Sequence, residues 1–570
     1  MADGRWLTDM LRWFPALTLV LFLGPVAAGL VGTWAPAFGF LPSLGGHGLT
    51  LEPWRQLFAQ PGLGTSLALT LGTGFAATLI SLGIVLGFLA SCHGMRPVVV
   101  VRKLLAPLLA VPHVAVAVGF AFLASPSGWA ARLVSPWATG WDRPPDIASV
   151  PDPIGIALVC GLVLKETPFL LLITLGALGQ TTADRTLAVA RSLGYGPATA
   201  WLKTVLPLIW PQIRLPVFAV LAFSLSVVDM ALILAPGTPP PLAPRILRWF
   251  NDPELSNQFL AAAGASLQFL LVAGSIALLY GGERLVAMLG RRWIAAGGRG
   301  HSGRIARRAG MMAMLLMFAT GLAGILGMAI WSLARRWRWP DALPSAWTTE
   351  NWSRQADALI WPGWTTVTVA VAAALIAIAL VLGCLENEQR NGVAPGSRVL
   401  WLIYAPLLAP QIGFLFGVQV LFVSAGLDGE WAALVWGHLL FVLPYVFLAL
   451  ADPWRRLDER YSRGARALGA SPNRVFWRIK LPMLLRPVLF ALAVGFAVSV
   501  GEYLPTVFTG GGRFATLTTE AVSLASGGDR RVIGVYGFLQ ALLPWAGFML
   551  AIGLPAWFYR DRRGMKVFAT

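Results

Sequence analysis

The chain has 570 residues, of which 57% are hydrophobic and only 12% charged, with a mean hydropathy of +0.69. A soluble core cannot hide that much apolar surface, so a water-soluble globular protein is excluded and an integral membrane protein implied. The net charge of +18 is spread over the segments between apolar runs, which argues for membrane topology and against nucleic acid as a partner. Cys92, Cys160 and Cys384 form no CxxC and no His/Cys cluster, so neither a disulfide framework nor a metal site is implied.

The chain opens with Arg5 and Arg12 ahead of an apolar run longer than the core of a cleaved signal peptide, which predicts an uncleaved first membrane helix. In chain order the apolar runs are 14–33, 66–90, 99–123, 154–178, 213–236 and 258–281, then 310–333, 364–385, 398–424, 431–451, 484–509 and 532–559. Each is near the ~20 residues that cross a bilayer. All are expected to be helical, because lipid offers no partner to a free backbone amide. This assignment puts about 31 Lys and Arg on one face and about 12 on the other, and the richer face is expected to be cytoplasmic. It holds both chain ends, the second carrying Arg560, Arg562, Arg563 and Lys566.

Between the third and fourth runs, Pro126, Trp129, Pro136, Trp141, Pro144, Pro145, Pro151 and Pro153 predict an ordered external loop. Lys165 and Glu166 fall in the middle of the fourth run, where a charge costs roughly 2.5–3.5 kcal/mol. They either line a gate or solute path, or pair with one another and with neighbouring helices. In residues 181–207, Leu187, Ala190 and Leu193 recur at helical spacing with Arg185 and Arg191 off that face, as in a short helix lying on the membrane surface. Gly194 then turns the chain into a second short helix, basic and aromatic, with Trp201 and Lys203, and Pro207 marks re-entry into the bilayer. Small-residue runs such as Gly72 to Ala76 suggest close helix packing. Residues 290–309, with Arg291, Arg292, Arg307 and Arg308, read as a basic linker.

Beyond the linker the pattern returns. Leu193-Gly194, eleven residues and Leu206-Pro207 are repeated as Leu468-Gly469, eleven residues and Leu481-Pro482, the glycines lying 275 positions apart (469 less 194). Thr70 to Gly87 matches Thr366 to Gly383, Ala106–Ala110 matches Ala405–Ala409, and Phe223 to Asp229 matches Phe496 to Glu502. Because the matches keep one order, the chain divides into repeats at 1–289 and 310–570, each of six spans and each carrying one loop, 181–207 and 456–482. An even number of spans gives both repeats the same orientation, related by an axis along the membrane normal. His47, His93, His113, His301 and His438 are scattered, with no H-E-x-x-H, which argues against a membrane enzyme.

The two loops resemble the EAA loop of the membrane permeases of binding-protein-dependent ABC importers. Glu502-Tyr503, Gly510–Gly512 and Thr516-Leu517-Thr518 are similar to the stretch downstream of that loop in the family. Two copies in one chain resemble the fused permeases of ferric-iron and thiamine importers. The resemblance implies the type I importer fold: an all-α polytopic protein of about twelve helices in two parallel six-helix repeats, in the bacterial inner membrane. It also implies a separate cytoplasmic ATP-binding subunit, a homodimer holding ATP and Mg, and a periplasmic or extracellular substrate-binding protein. On the loops, the contact positions it implies are Ala188, Arg191, Gly194, Lys203 and Pro207, then Arg463, Arg466, Gly469, Arg478 and Pro482.

The glutamate that names the motif is Ala188 in one loop and Arg463 in the other, so an ion pair from it does not carry over. No G-x-x-x-x-G-K-[ST] phosphate loop is present, which leaves ATP hydrolysis to the partner and implies no cofactor in this chain. Lys165, Glu166, Asp229 and Glu502 are the candidates for a solute path. The matched acids Asp229 and Glu502 either attract a cation such as ferric iron, thiamine or a polyamine, or order the external ends of their helix pairs. A twelve-helix transporter driven by an ion gradient is the alternative, and it would need no matched pair of basic loops.

Overall fold

The computed structural model describes residues 11–300, 303–392 and 396–558; Arg5, His301, Arg560, Arg562, Arg563 and Lys566 lie outside them. Ten of the described helices are long and apolar enough to cross a membrane, and two sharply bent pairs bring the number to twelve. The first half contains α1 (Phe14–Ala37), α2 (Leu63–Cys92), α3 (Arg96–Ala110), α4 (His113–Ala124), α5 (Ile156–Gly179) and α6 (Ala183–Ser192). It continues through α7 (Leu206–Ser226), the short buried α8 (Asp229–Leu234) and α9 (Leu242–Phe250), and the 39-residue α10 (Asn257–Ala295).

The second half repeats this order. Its elements are α11 (Arg304–Leu333), α12 (Glu350–Asn391), α13 (Ser397–Leu408), α14 (Ile412–Ser424), α15 (Trp431–Arg455) and α16 (Glu459–Ala467). They are followed by α17 (Leu485–Gly501), α18 (Leu504–Thr509), α19 (Leu517–Ala525) and α20 (Arg530–Phe558).

Four predicted spans are not single helices. The run 99–123 breaks between α3 and α4, and 398–424 breaks between α13 and α14 with a bend of 106°. The cause is local: Val111 precedes Pro112 and Ala409 precedes Pro410, and a residue before proline is pushed out of the helical region, here to ψ 127° and 134°. The runs 213–236 and 484–509 also stop short of their predicted ends, at Ser226 and Gly501, before turning into α8 and α18.

Helices α9 and α19 are too short to span and fall outside the predicted runs, yet they follow the same plan. The Leu242 amide donates to Thr70 Oγ1 at 2.8 Å, and the Leu517 amide donates to Thr366 Oγ1 at 2.9 Å. Each buried helix start thus has an acceptor from the long helix of its own half, as an apolar interior requires. The two threonines are the ones paired by the sequence repeat.

The halves interlock through their first helices. Helix α1 packs on α14 of the other half, and α11 packs on α4. Glycine makes these crossings possible: a Cβ on Gly29 would lie 2.5 Å from Phe414 O, and one on Gly119 would lie 2.9 Å from Gly324 C. The backbones are therefore in contact at both places. The close packing expected at Gly72 is absent, since that position faces open space, and Gly74 packs against Leu225 instead.

At the end of the bundle opposite α6 and α16, the Trp- and Pro-rich loop between the third and fourth predicted runs packs on a small hairpin of the second half, Ala334–Arg336 with Ala346–Trp347. Trp129 Nε1 donates to Ala342 O at 3.0 Å, and Trp339 Nε1 donates to Trp141 O at 3.2 Å. Arg132 is buried, donates to Arg338 O at 2.7 Å, and lies 5.0 Å from the Trp337 ring and 5.3 Å from the Trp339 ring. These contacts tie the loop to the other half.

Candidate functional site

The breaks in the helices converge inside the bundle. Where α3 stops, its last carbonyls lose their helical partners, and a cation is the natural complement to a helix C-terminus. Lys165, ten residues into α5, supplies it: Nζ donates to Val111 O at 2.6 Å and to Leu109 O at 3.2 Å. Lys165 is not bonded directly to Glu166, the simplest structural pairing open to it. Glu166 is buried, and its Oε1 lies 3.8 Å from His113 Nε2 at the start of α4. The His113 ring packs against Phe223, with centroids 4.6 Å apart and the planes tilted by 42°.

Asp229 begins α8 immediately after the α7 break. It is buried, its Oδ1 accepts from the Met230 amide at 2.8 Å, and His113 and Lys165 lie within its electrostatic reach. Glu502 occupies the matching break between α17 and α18, has the Gln411 amide beside it, and is close enough to Asp229 for the two charges to interact. Tyr445 feels both Glu502 and Glu166. The structure thus gathers Lys165, Glu166, Asp229 and Glu502 into one cluster. His113, Gln411 and Tyr445 belong to it and were not picked out in the sequence. The available signal was a proline followed by a polar residue inside an apolar run, Pro112-His113 and Pro410-Gln411.

Both acids sit at breaks within the bundle, and carbonyls freed there are met by buried polar side chains, an amide in one half and a hydroxyl backed by an amide in the other. Gln268 Nε2 donates to Leu225 O at 2.9 Å. Gln540 Nε2 donates to Thr518 Oγ1 at 2.6 Å, and Thr518 Oγ1 donates to Val500 O at 2.5 Å. Buried His438 is satisfied at both ring nitrogens, by Ser499 Oγ at 2.8 Å and Thr506 Oγ1 at 3.0 Å, and so is a packing element behind Glu502.

The second region is the pair of loops at the Arg-rich end. Helix α6 ends with Gly194 at φ +85° and α16 with Gly469 at φ +83°. Each glycine closes the same cap: Tyr195 N to Ala190 O at 3.2 Å with Gly194 N to Arg191 O at 3.0 Å, and Ala470 N to Ala465 O at 3.0 Å with Gly469 N to Arg466 O at 2.9 Å. This is the six-to-one and five-to-two bonding that a left-handed glycine permits. The following turns, Trp201–Val205 and Phe476–Lys480, are both π-helical and lead into Pro207 and Pro482.

Ala188, Arg191, Arg463, Arg466 and Arg478 are exposed, as are both glycines. Leu193 was expected on the buried face with Leu187 and Ala190, but it caps the helix and is 58% exposed; its counterpart Leu468 is 91% exposed. Lys203, by contrast, is buried, and its Nζ donates to Gly298 O at 2.8 Å and Trp293 O at 3.0 Å. In the second loop Lys480 is the buried cation, donating to Glu386 Oε2 at 2.6 Å beside the Arg390–Glu386 pair at 2.7 Å.

A twice-repeated six-helix bundle with broken helices, buried charges and two matched surface loops defines a transport permease. Residues 390–563 match the family described as binding-protein-dependent transport system inner membrane component. The chain is 32% identical over 536 residues to the inner membrane ABC transporter permease protein YnjC of Escherichia coli K12, covering 94% of this chain and 96% of that one. Over 229 residues it is 25% identical to the putrescine transport system permease protein PotI of the same organism, 36% of this chain and 80% of PotI. Over 213 residues it is 27% identical to the molybdenum transport system permease protein ModB of Mycobacterium tuberculosis, 35% of this chain and 77% of ModB. The chain belongs to the ABC transporter permeases of binding-protein-dependent systems, as a fused, two-repeat, multi-pass inner-membrane component with the type I permease fold.

Proposed function

We propose that this permease forms the solute path of an ABC importer and couples to a separate, homodimeric ATP-binding subunit through the loops 181–207 and 456–482. One observation carries this reading. The same helix, left-handed glycine cap and π-turn occur twice, each presenting an exposed leucine, Leu193 or Leu468, at its tip. Water-exposed leucines on rigid caps are suited to a groove on a partner protein. A substrate-binding protein would deliver solute at the opposite end. The loops and both termini are then cytoplasmic, with the repeats joined by the linker 290–309, and the energy comes from the partner, since this chain carries no phosphate loop.

The solute crosses at the cluster where the helices break, and its chemistry is set by the charges there. Lys165, held by backbone carbonyls, sets one ammonium against the three acids Glu166, Asp229 and Glu502, a surplus of acidic groups in the cluster. That surplus supports a small cationic solute, as a metal ion or an organic ammonium, over an oxyanion.

Leu193→Asp together with Leu468→Asp tests the coupling. Both positions are exposed, so the variant is expected to fold and to keep its thermal midpoint, while it loses co-purification of the ATP-binding subunit and ATP-driven uptake in vesicles. Retention of the partner and of uptake in that variant would sink the reading.

A further inference from the structure

The linker between the repeats does more than join them. Resting on the reading of the loops as docking sites, we propose that Trp293–Gly300 is a structural part of the first docking loop, and that its Arg299 belongs to the surface offered to the ATP-binding subunit. The linker folds back onto the loop through its backbone. Lys203 Nζ donates to Trp293 O at 3.0 Å and Gly298 O at 2.8 Å, and the Gly196 amide donates to Arg299 O at 2.9 Å. The Lys203 ammonium also lies 4.6 Å from the Trp293 ring and 5.4 Å from the Tyr195 ring. Gly300, at φ +70°, passes so close to Thr199 that a Cβ there would collide with its hydroxyl.

These contacts place the Arg299 side chain at the glycine turn. A Cβ on Gly194 would lie 3.6 Å from Arg299 Cδ and 3.7 Å from its Nη1. Among the described residues, nothing comparable lies within 4 Å of that point on Gly469. The second loop has its own exposed guanidinium groups, from Arg460, Arg463, Arg466, Arg474 and Arg478. The first has only Arg185 and Arg191 exposed, because the lysine at the position of Arg478 is the buried Lys203. A homodimeric partner presents two like grooves. The linker brings the weaker loop a cation at its tip, so the partner surface it fits is acidic on both sides.

Trypsin reads the first half of the proposal on the purified permease alone. Cleavage after Arg299 needs an extended chain with a free carbonyl, and that carbonyl is held by Gly196, so cleavage is expected to be slow. Lys203→Met should speed it several-fold, while Arg478→Met, at the aligned position, should leave it unchanged. If Lys203→Met does not accumulate, Gly300→Val, which drives a side chain into Thr199, serves for the same readout. An unchanged cleavage rate overturns the docked linker.

For the second half, Arg299→Glu is expected to weaken binding of the ATP-binding subunit about five-fold, with Arg299→Lys close to wild type. Wild-type affinity in Arg299→Glu while Leu468→Asp abolishes binding overturns the role of Arg299 and leaves the docking loops standing. Wild-type affinity in both variants sinks the docking loops themselves.

Discussion

The two helix breaks share one backbone and are neutralised in different ways. At Val111–Pro112 the freed carbonyls are capped by the ammonium of Lys165, with Glu166 and Asp229 close by. At Ala409–Pro410 the position equivalent to Lys165 is Phe441, and the Gln411 amide instead lies beside Glu502. Duplication therefore preserved where the chain breaks, which proline and lipid together enforce, and released the side chains that face the break. One half contributes a cation and two carboxyl groups, the other a single carboxyl group beside an amide. A pathway lined in this way is pseudo-symmetric in shape and asymmetric in charge.

The largest expected effect tests the shared part of that comparison. Replacing both matched acids, Asp229→Asn with Glu502→Gln, should lower uptake about a hundred-fold if each contributes a tenfold factor, about 1.36 kcal/mol, to moving a cation through the site. Thermal midpoint in detergent should stay near wild type, because amides keep the hydrogen bonds. Wild-type uptake kinetics in vesicles would assign the acids to folding alone.

A smaller effect should distinguish the two breaks. Lys165→Met strips two carbonyls of their charged donor and should cost about 1.5–3 kcal/mol. Phe441→Met at the equivalent place exchanges one apolar side chain for another and should cost less than about 1.5 kcal/mol. Equal losses in thermal unfolding would show that Lys165 is not the cap that separates the halves.

The smallest effect tests their equivalence. Thr70→Val and Thr366→Val each remove one buried hydroxyl from a re-entrant helix start and should each cost about 1 kcal/mol. A clear inequality would mean that one re-entrant helix carries more of the fold than the other.

Much of the fold was legible because the bilayer imposes it. Runs of about 20 apolar residues must be helices, so their number and order could be read directly. The loops were legible because a left-handed glycine at a helix end is a local requirement, met at Gly194 and again at Gly469. The cluster was half legible. Charges inside apolar runs marked Lys165, Glu166, Asp229 and Glu502, whereas His113 and Gln411 carry no charge cost and passed as ordinary residues beside a proline.

Other features have no local signature. The direction of Leu193 is set by where the helix stops, one residue before it would have turned inward. The contact of Gly119 with Gly324 joins residues some two hundred positions apart, whereas a Cβ on Gly72, with the same kind of neighbours in sequence, would meet none of the described residues.

By itself, the sequence determined that this is a polytopic helical protein, duplicated, with two matched loops and four charges where lipid would not tolerate them. Those conclusions rest on hydrophobic length, repetition and the cost of a buried charge, all properties of short stretches of chain. Only the tertiary structure decided that the helices break where those charges lie, that the breaks of both halves share one cluster, and that the linker closes over one loop. Each of these depends on which backbone carbonyls are left without a partner, and that is settled only when distant helices pack.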